Sequence, residues 1–151
     1  MKKENSSIGK WISIIHRQSQ IYINNELKQY DINSSEYIYL VNLAIDKGVN
    51  QKYLSDLLCT DEALTTRVIR SLENKGLVLR EKSTVDKRAY DVRLTEKGKE
   101  LQPIIIDKLK HWTEILSIGM DKEKVDFIIY NLMLMANNAK IMNRGEPHEE
   151  N

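Results

Sequence analysis

Residues 50–101 read NQKYLSDLLCTDEALTTRVIRSLENKGLVLREKSTVDKRAYDVRLTEKGKEL, and their punctuation decides the fold. Asn50 is a good N-cap for a short helix, Gln51 to Leu58, that turns Leu54, Leu57 and Leu58 inward. Cys59-Thr60-Asp61 is a tight link with two further capping residues. A second helix then runs from Glu62 to Asn74, with Val68, Ile69 and Leu72 on one face and Thr66, Arg67 and Arg70 on the other. Lys75-Gly76 stops it. Two short alternating runs, 77–82 and 89–94, follow around a charged tip of Asp86, Lys87 and Arg88, and Thr95 caps another helix. Two helices, a tight turn and a strand pair make a winged helix-turn-helix.

The flanks are helical. Ile8, Trp11, Ile12, Ile15, Tyr22, Ile23 and Leu27 recur at three- and four-residue spacing and predict a helix over 8–29. A turn over 31–36 has Ser34 or Ser35 as N-cap for a helix that points Tyr37, Leu40, Val41 and Ala44 inward and ends at Gly48. Beyond Thr95 a long helix carries Ile105, Leu109, Trp112 and Leu116, kinked near its start by Pro103. Ser117-Ile118-Gly119-Met120 breaks it. Asp121 caps a last helix whose stripe runs from Val125 to Met142. Because Met133, Leu134 and Met135 are consecutive, this helix is apolar on more than one side, which points to burial against a second subunit. The fold class expected is mainly α with a small β-hairpin wing. A dimerisation region of residues 1–30 and 99–145 flanks a winged domain of 31–98, and 146–151 form a frayed polar tail.

Composition narrows the chemistry. With 151 residues, 41% hydrophobic and 30% charged, the chain has enough apolar material for one packed domain with helical extensions. A single cysteine, Cys59, excludes an intrachain disulfide and leaves a cysteine zinc site short of ligands. Cys59 reads as a small buried residue. His16, His111 and His148 are too scattered for a metal site. There is no nucleophile–base pair, glycine-rich phosphate loop or His-Glu metal spacing, so neither an enzyme nor a cofactor is expected. No apolar run is long enough to span a membrane, and the expected location is the cytoplasm.

Net charge is +1, but between Leu64 and Arg93 eight basic residues face four acidic ones. Arginine or lysine on a helix in the major groove can bond guanine edges or phosphates, and hydroxyls such as Thr66 can reach phosphates. A guanidinium on a hairpin is favoured in the negative potential of the minor groove. Arg88 is then the inserted cation and Lys87 a phosphate contact. Asp86 would be repelled by DNA, so it is expected to turn back onto an arginine of the protein and hold the wing tip. The same tip is also what an ordinary solvated hairpin turn looks like.

Residues 50–101 resemble the core of the MarR family of transcription regulators. The likeness rests on Leu-Glu-Asn-Lys-Gly-Leu-Val at 72–78, the Asp-x-Arg wing signature at Asp86 and Arg88, and Leu-Thr-Glu-Lys-Gly at 94–98. The flanking helices follow the same plan, so the resemblance covers nearly the whole chain. It implies a homodimer on double-stranded DNA, bound at a pseudo-palindromic operator, most often as a repressor relieved by a small ligand. It puts Thr66, Arg67 and Arg70 at the major groove, Arg88 in the minor groove and Asp86 in wing support; Lys82, Thr84 and Lys87 complete the expected DNA-facing set. His16 and Arg17 lie near where the family's ligand crevice forms, and Arg17 could pair with a carboxylate such as an aromatic acid. An internal salt bridge of Arg17 is the plainer alternative. Thr65 stands where an apolar residue is usual, and is expected to be buried and bonded to a backbone carbonyl. A winged-helix module that docks an acidic protein, without specific DNA binding, is the competing function.

Overall fold

The computed structural model describes residues 7–144. The polar tail expected at 146–151 lies outside them. The chain divides into two compact units, one ending at Trp112 and one beginning at Thr113.

In the first unit, α1 spans Ile8–Leu27 and a single 3-10 turn, Lys28–Tyr30, ends it. Ser7 caps α1 by accepting the Lys10 amide at 3.3 Å. Next come α2 (Tyr37–Val41), β1 (Val49–Asn50), α3 (Gln51–Leu58), α4 (Glu62–Asn74), β2 (Val78–Lys82), β3 (Tyr90–Leu94) and α5 (Glu96–Leu116), whose last four residues belong to the second unit. The three strands form one antiparallel sheet in the order β1-β3-β2, with Val78 opposite Leu94, Lys82 opposite Tyr90, and Val49 opposite Val92. The expected two-stranded wing therefore gains a third, two-residue strand. The core runs from Ile23 and Leu27 of α1 through Leu40, Leu54, Ile69 and Leu72 to Val92, Leu101 and Ile105. The 8–29 helix thus contributes its C-terminal half to the same core as the winged elements.

The termini of α3 and α4 fall where the sequence puts them, because each is chemically specified. Asn50 accepts the Tyr53 amide at 3.1 Å, and Asp61, rather than Thr60, accepts the Leu64 amide at 2.6 Å. At the end of α4, Gly76 has φ +70°. Its N–H donates to the Glu73 carbonyl at 2.9 Å, and the Leu77 N–H donates to that of Leu72 at 3.0 Å. This is a Schellman closure, with Leu72 and Leu77 both buried beside it. The end of α3 repeats the pattern with Cys59 in the glycine position: φ is +53°, and the Thr60 N–H reaches the Ser55 carbonyl at 3.0 Å. That backbone turns Cys59 outward, so it is exposed and not the buried residue expected. Leu57, also expected inside, is 40% exposed, and Ser55 takes the inner position instead.

The second expected helix is corrected at both ends. Neither Ser34 nor Ser35 caps it: Glu36 stands at the cap position, and no side-chain bond caps the helix. The turn before it is closed by Asn33, whose side chain accepts the Ser35 amide at 2.8 Å in an Asx turn, while the Glu36 carboxylate accepts the Asn33 amide at 3.1 Å. The helix stops at Val41, not Gly48. The Gln102 amide of α5 donates to the carbonyls of Leu40 and Leu43, at 2.7 and 2.8 Å, and so satisfies acceptors that a continuing helix would use. Leu40 is fully buried, as expected, together with Tyr39 and Leu43, whereas Tyr37, Val41 and Ala44 are only half-buried. The Glu36 carboxylate is buried, and its partners are Ser71 at 2.6 Å and the Lys75 ammonium at 2.9 Å, tying α2 to the end of α4.

Thr95 accepts the Gly98 amide at 3.1 Å and opens α5, which continues without interruption through Pro103. Gly98 lies against the Leu77 carbonyl so closely that a Cβ would overlap that oxygen. Further along, Trp112 stacks on Tyr22 at 4.7 Å between ring centroids and donates its indole N–H to Ser19 at 2.8 Å.

In the second unit, Gly119 takes φ +83° in the 117–120 break. Asp121 then caps α6 (Lys122–Arg144), accepting the Lys124 amide at 2.9 Å. The side-chain and backbone donors of Lys124 hold the Asp121 carboxyl below its usual range. Phe127, Ile129, Tyr130, Met133 and Met142 of α6 are all exposed.

Candidate nucleic-acid interface

The outer face of α4 is set by its inner one. Thr65, Val68, Ile69 and Leu72 are buried, so helical spacing leaves Arg67 and Arg70 exposed and Thr66 half-exposed. Thr65 is fully buried, as expected, but its partners are hydroxyls and not a backbone carbonyl. Its Oγ1 lies 2.9 Å from Ser55 Oγ, 3.1 Å from Thr60 Oγ1 and 3.2 Å from Tyr39 Oη. One buried threonine thus links α2, α3, the turn and α4.

The wing tip is organised by its own backbone. The Ala89 N–H donates to the Asp86 carbonyl at 2.9 Å, the Ser83 N–H to the Ala89 carbonyl at 3.0 Å, and the Val85 N–H to the Ser83 hydroxyl at 3.3 Å. Asp86 turns back, but onto the Arg88 amide at 2.9 Å and not onto an arginine side chain. The amide two residues on is the nearest donor, and an aspartate at that place makes an Asx turn. Among the described residues Asp86 forms no ion pair. Lys82, Thr84, Lys87 and Arg88 are all exposed.

Arg80, on the other side of the hairpin, is different. Its guanidinium sits 3.7 Å from the centre of the Tyr90 ring, a cation–π stack, and its Nε is buried without a hydrogen-bond partner among the described residues. The Lys82 ammonium lies 5.5 Å from the same ring.

The basic block thus splits in two. Lys75 is paired with Glu36 and Arg93 with Glu81, at 2.9 and 3.5 Å. Nearby, Lys52 is bound to Glu62 at 2.9 Å, which raises the lysine's pKa above its ordinary value. Among the described residues, Arg67, Arg70, Lys87 and Arg88 have no ion-pair partner. Between these groups lies a cleft of about 240 Å³ lined by Gln51, Lys52, Ser55, Glu62, Asp86, Arg88, Ala89 and Tyr90. It brings the wing beside the start of α3. Gln51 and Tyr90 were not singled out by the sequence; a first-turn glutamine and a strand tyrosine carry no periodic or motif signal.

His16 and Arg17 are exposed on α1. Arg17 donates to Ser13, one turn back, at 2.7 Å, and forms no ion pair among the described residues, so the internal salt bridge is not what holds it. Neither residue lines the cleft beside the wing. Among the described residues no cluster of histidine, cysteine or acidic side chains is arranged for a metal, and no helix is long and apolar enough to cross a membrane.

A helix-turn-helix with a pinned wing and exposed cations that form no ion pair among the described residues defines a winged-helix protein with a cationic face. The model of the MarR family matches residues 32–90. The crystal structure of a MarR transcriptional regulator from Methanosarcina mazei superposes with a TM-score of 0.83 at 38% identity, covering 89% of this chain and 97% of that one. The HTH-type transcriptional regulator SarZ of Staphylococcus epidermidis is 30% identical over 111 residues, 71% of this chain and 75% of the relative. A MarR family regulator from Listeria monocytogenes, crystallised with a 26mer DNA, shares the fold with a TM-score of 0.84 at 24% identity, over 96% and 99% of the two chains. The chain belongs to the MarR family of transcription regulators.

Proposed function

We propose that this protein is a sequence-specific DNA-binding repressor that acts in the cytoplasm as a homodimer on a pseudo-palindromic operator. The observation that carries the reading is the set of exposed cations that form no ion pair among the described residues: Arg67 and Arg70 on α4, and Lys87 and Arg88 on the wing. Such charges repel one another and gain when a polyanion replaces solvent counterions. In this reading α4 enters the major groove with Thr66, Arg67 and Arg70. The wing carries Arg88 into the adjoining minor groove, with Lys82, Thr84 and Lys87 on the backbone and Asp86 holding the tip. The DNA complex of the Listeria relative supports the choice of partner.

Residues 31–98 are assigned to DNA binding, and 1–30 with 99–145 to dimerisation. Support for dimerisation comes from α1, where Ile8, Trp11, Ile12 and Ile15 are at least 44% exposed, and separately from α6, where Phe127 is 69% and Met142 66% exposed. A twofold dimer presents two recognition helices about one turn of DNA apart. A small-molecule effector, such as an aromatic acid, is proposed to place its carboxylate on Arg17 with His16 beside it; Arg17 is exposed and, among the described residues, bonded only within its own helix turn. The direct test is duplex binding against salt. Arg88→Ala is expected to weaken binding by about tenfold or more and to lower the salt slope by about one phosphate contact. An unchanged affinity and slope would remove the wing from the interface.

A further inference from the structure

We infer that Gln51 is a positioning residue that makes the Thr66 hydroxyl a hydrogen-bond donor for a DNA backbone phosphate. The inference rests on the DNA-binding reading above. The Gln51 side chain crosses from the first position of α3 to α4 and donates Nε2–H to Thr66 Oγ1 at 2.9 Å. The other end of its amide, Oε1, is buried and without a partner among the described residues.

A threonine on a helix usually spends its proton on the carbonyl one turn back. Two serines here do so: Ser19 donates to Ile15 and Ser117 to Thr113. Thr66 does not, and the described residues give it no acceptor for its own O–H. Gln51 fills one lone pair of that oxygen and leaves the proton free. Thr66 is half-exposed, one residue before Arg67 on the α4 face that carries the unpaired cations. A phosphate oxygen is an acceptor only, so it needs a donor in this place. Gln51 also lines the cleft shared with Arg88 and Tyr90, where the wing meets the helix pair, so the bond sits between both proposed contact elements.

The test is a double-mutant cycle on duplex affinity, using the duplex that wild-type protein selects from a random pool. Thr66→Val is expected to weaken binding on the order of tenfold, the scale of one hydrogen bond to a charged group. Gln51→Met, which keeps the length of the side chain and loses its N–H, is expected to weaken it several-fold. The double variant should bind no more weakly than Thr66→Val alone. Thr66→Ser should restore affinity and remain sensitive to Gln51→Met. The slope of log K against log salt should be the same in all, because a neutral hydroxyl releases no counterion. Gln51→Ala repeats the cycle should the methionine variant melt early. Full-strength binding by Thr66→Val, or a Gln51 effect that persists undiminished in the Thr66→Val background, overturns the inference while leaving the DNA-binding reading intact. A wild-type protein that selects no duplex overturns both.

Discussion

Replacing Thr65 by valine tests the hydroxyl cluster under the recognition helix. The change is nearly isosteric and replaces the hydroxyl by a methyl. By burial alone it should be harmless or mildly stabilising, by about 0.8 kcal/mol for one more buried methyl. The geometry says otherwise. Three oxygens surround Oγ1 at 2.9–3.2 Å. That is hydrogen-bond spacing, whereas a methyl carbon needs roughly 3.5–4.0 Å. Valine therefore has to push Tyr39, Ser55 and Thr60 outward, and overpacking of this kind costs about 1–3 kcal/mol. The lost bonds add less than three full hydrogen bonds. Tyr39 and Thr60 keep each other at 3.1 Å, and Ser55 keeps the Gln51 carbonyl at 3.3 Å. One net bond of about 1 kcal/mol is a fair allowance. The sum, less the methyl gain, predicts destabilisation of about 2 kcal/mol, read from urea unfolding at fixed protein concentration. Thr65→Val combined with Tyr39→Phe should lose less than the sum of the two single changes, because they share a partner. A valine variant within about 0.5 kcal/mol of wild type, the scatter of ordinary surface changes, would refute the network.

Three further predictions bear on the scaffold. Gly98→Ala puts a methyl onto the Leu77 carbonyl and against Leu94, and is expected to destabilise by at least about 2 kcal/mol in the same assay; a neutral alanine would contradict the packing of α5 on the wing. Cys59→Gly relieves a non-glycine residue at φ +53° and is expected to stabilise by about 0.5–1 kcal/mol after the entropy cost of glycine, raising the urea midpoint. The Asp121 carboxyl is held below its ordinary value of 3.8 by Lys124, so its stabilisation of α6 is complete above that pH and disappears as pH falls through the lower folded-state value. The stability difference between wild type and Asp121→Asn should be flat near neutrality and shrink only below about pH 4; a difference that shrinks between pH 5 and 7 would contradict the assignment.

The helix-turn-helix and wing were legible because their boundaries are chemical. Asn50 and Asp61 cap, Gly76 closes, and alternation marks both long strands, so α3 and α4 run between the expected residues. What was hidden depends on distant partners. The second helix ends early because Gln102, some sixty residues on, takes its carbonyls, and no local pattern announces that. β1 is two residues long and exists through pairing with β3, too short for a period to register. Ser34 and Ser35 are capping residues by type, but the turn is closed by Asn33 and the helix starts after Glu36 with no side-chain cap. Cys59 looked buried by residue type, and its left-handed backbone turned it out.

At the candidate site the exposure of Arg67, Arg70, Lys87 and Arg88 follows from spacing, whereas which cations are free and which are paired does not. Lys75 and Arg93 look the same in sequence as Arg70 and Arg88, yet their neighbours in space are Glu36 and Glu81. Gln51 is invisible for the same reason: its bond to Thr66 is made across the turn, between two helices.

The central claim is that the unpaired cations of α4 and the wing form the face that reads an operator. Selection of duplexes from a random pool at near-physiological salt, with Arg88→Ala beside wild type, tests it most directly. Wild type is expected to enrich an inverted repeat with half-sites about one helical turn apart, and Arg88→Ala to lose or blur it. A folded wild-type protein that enriches no sequence, or an Arg88→Ala protein that enriches the same repeat equally well, would contradict it.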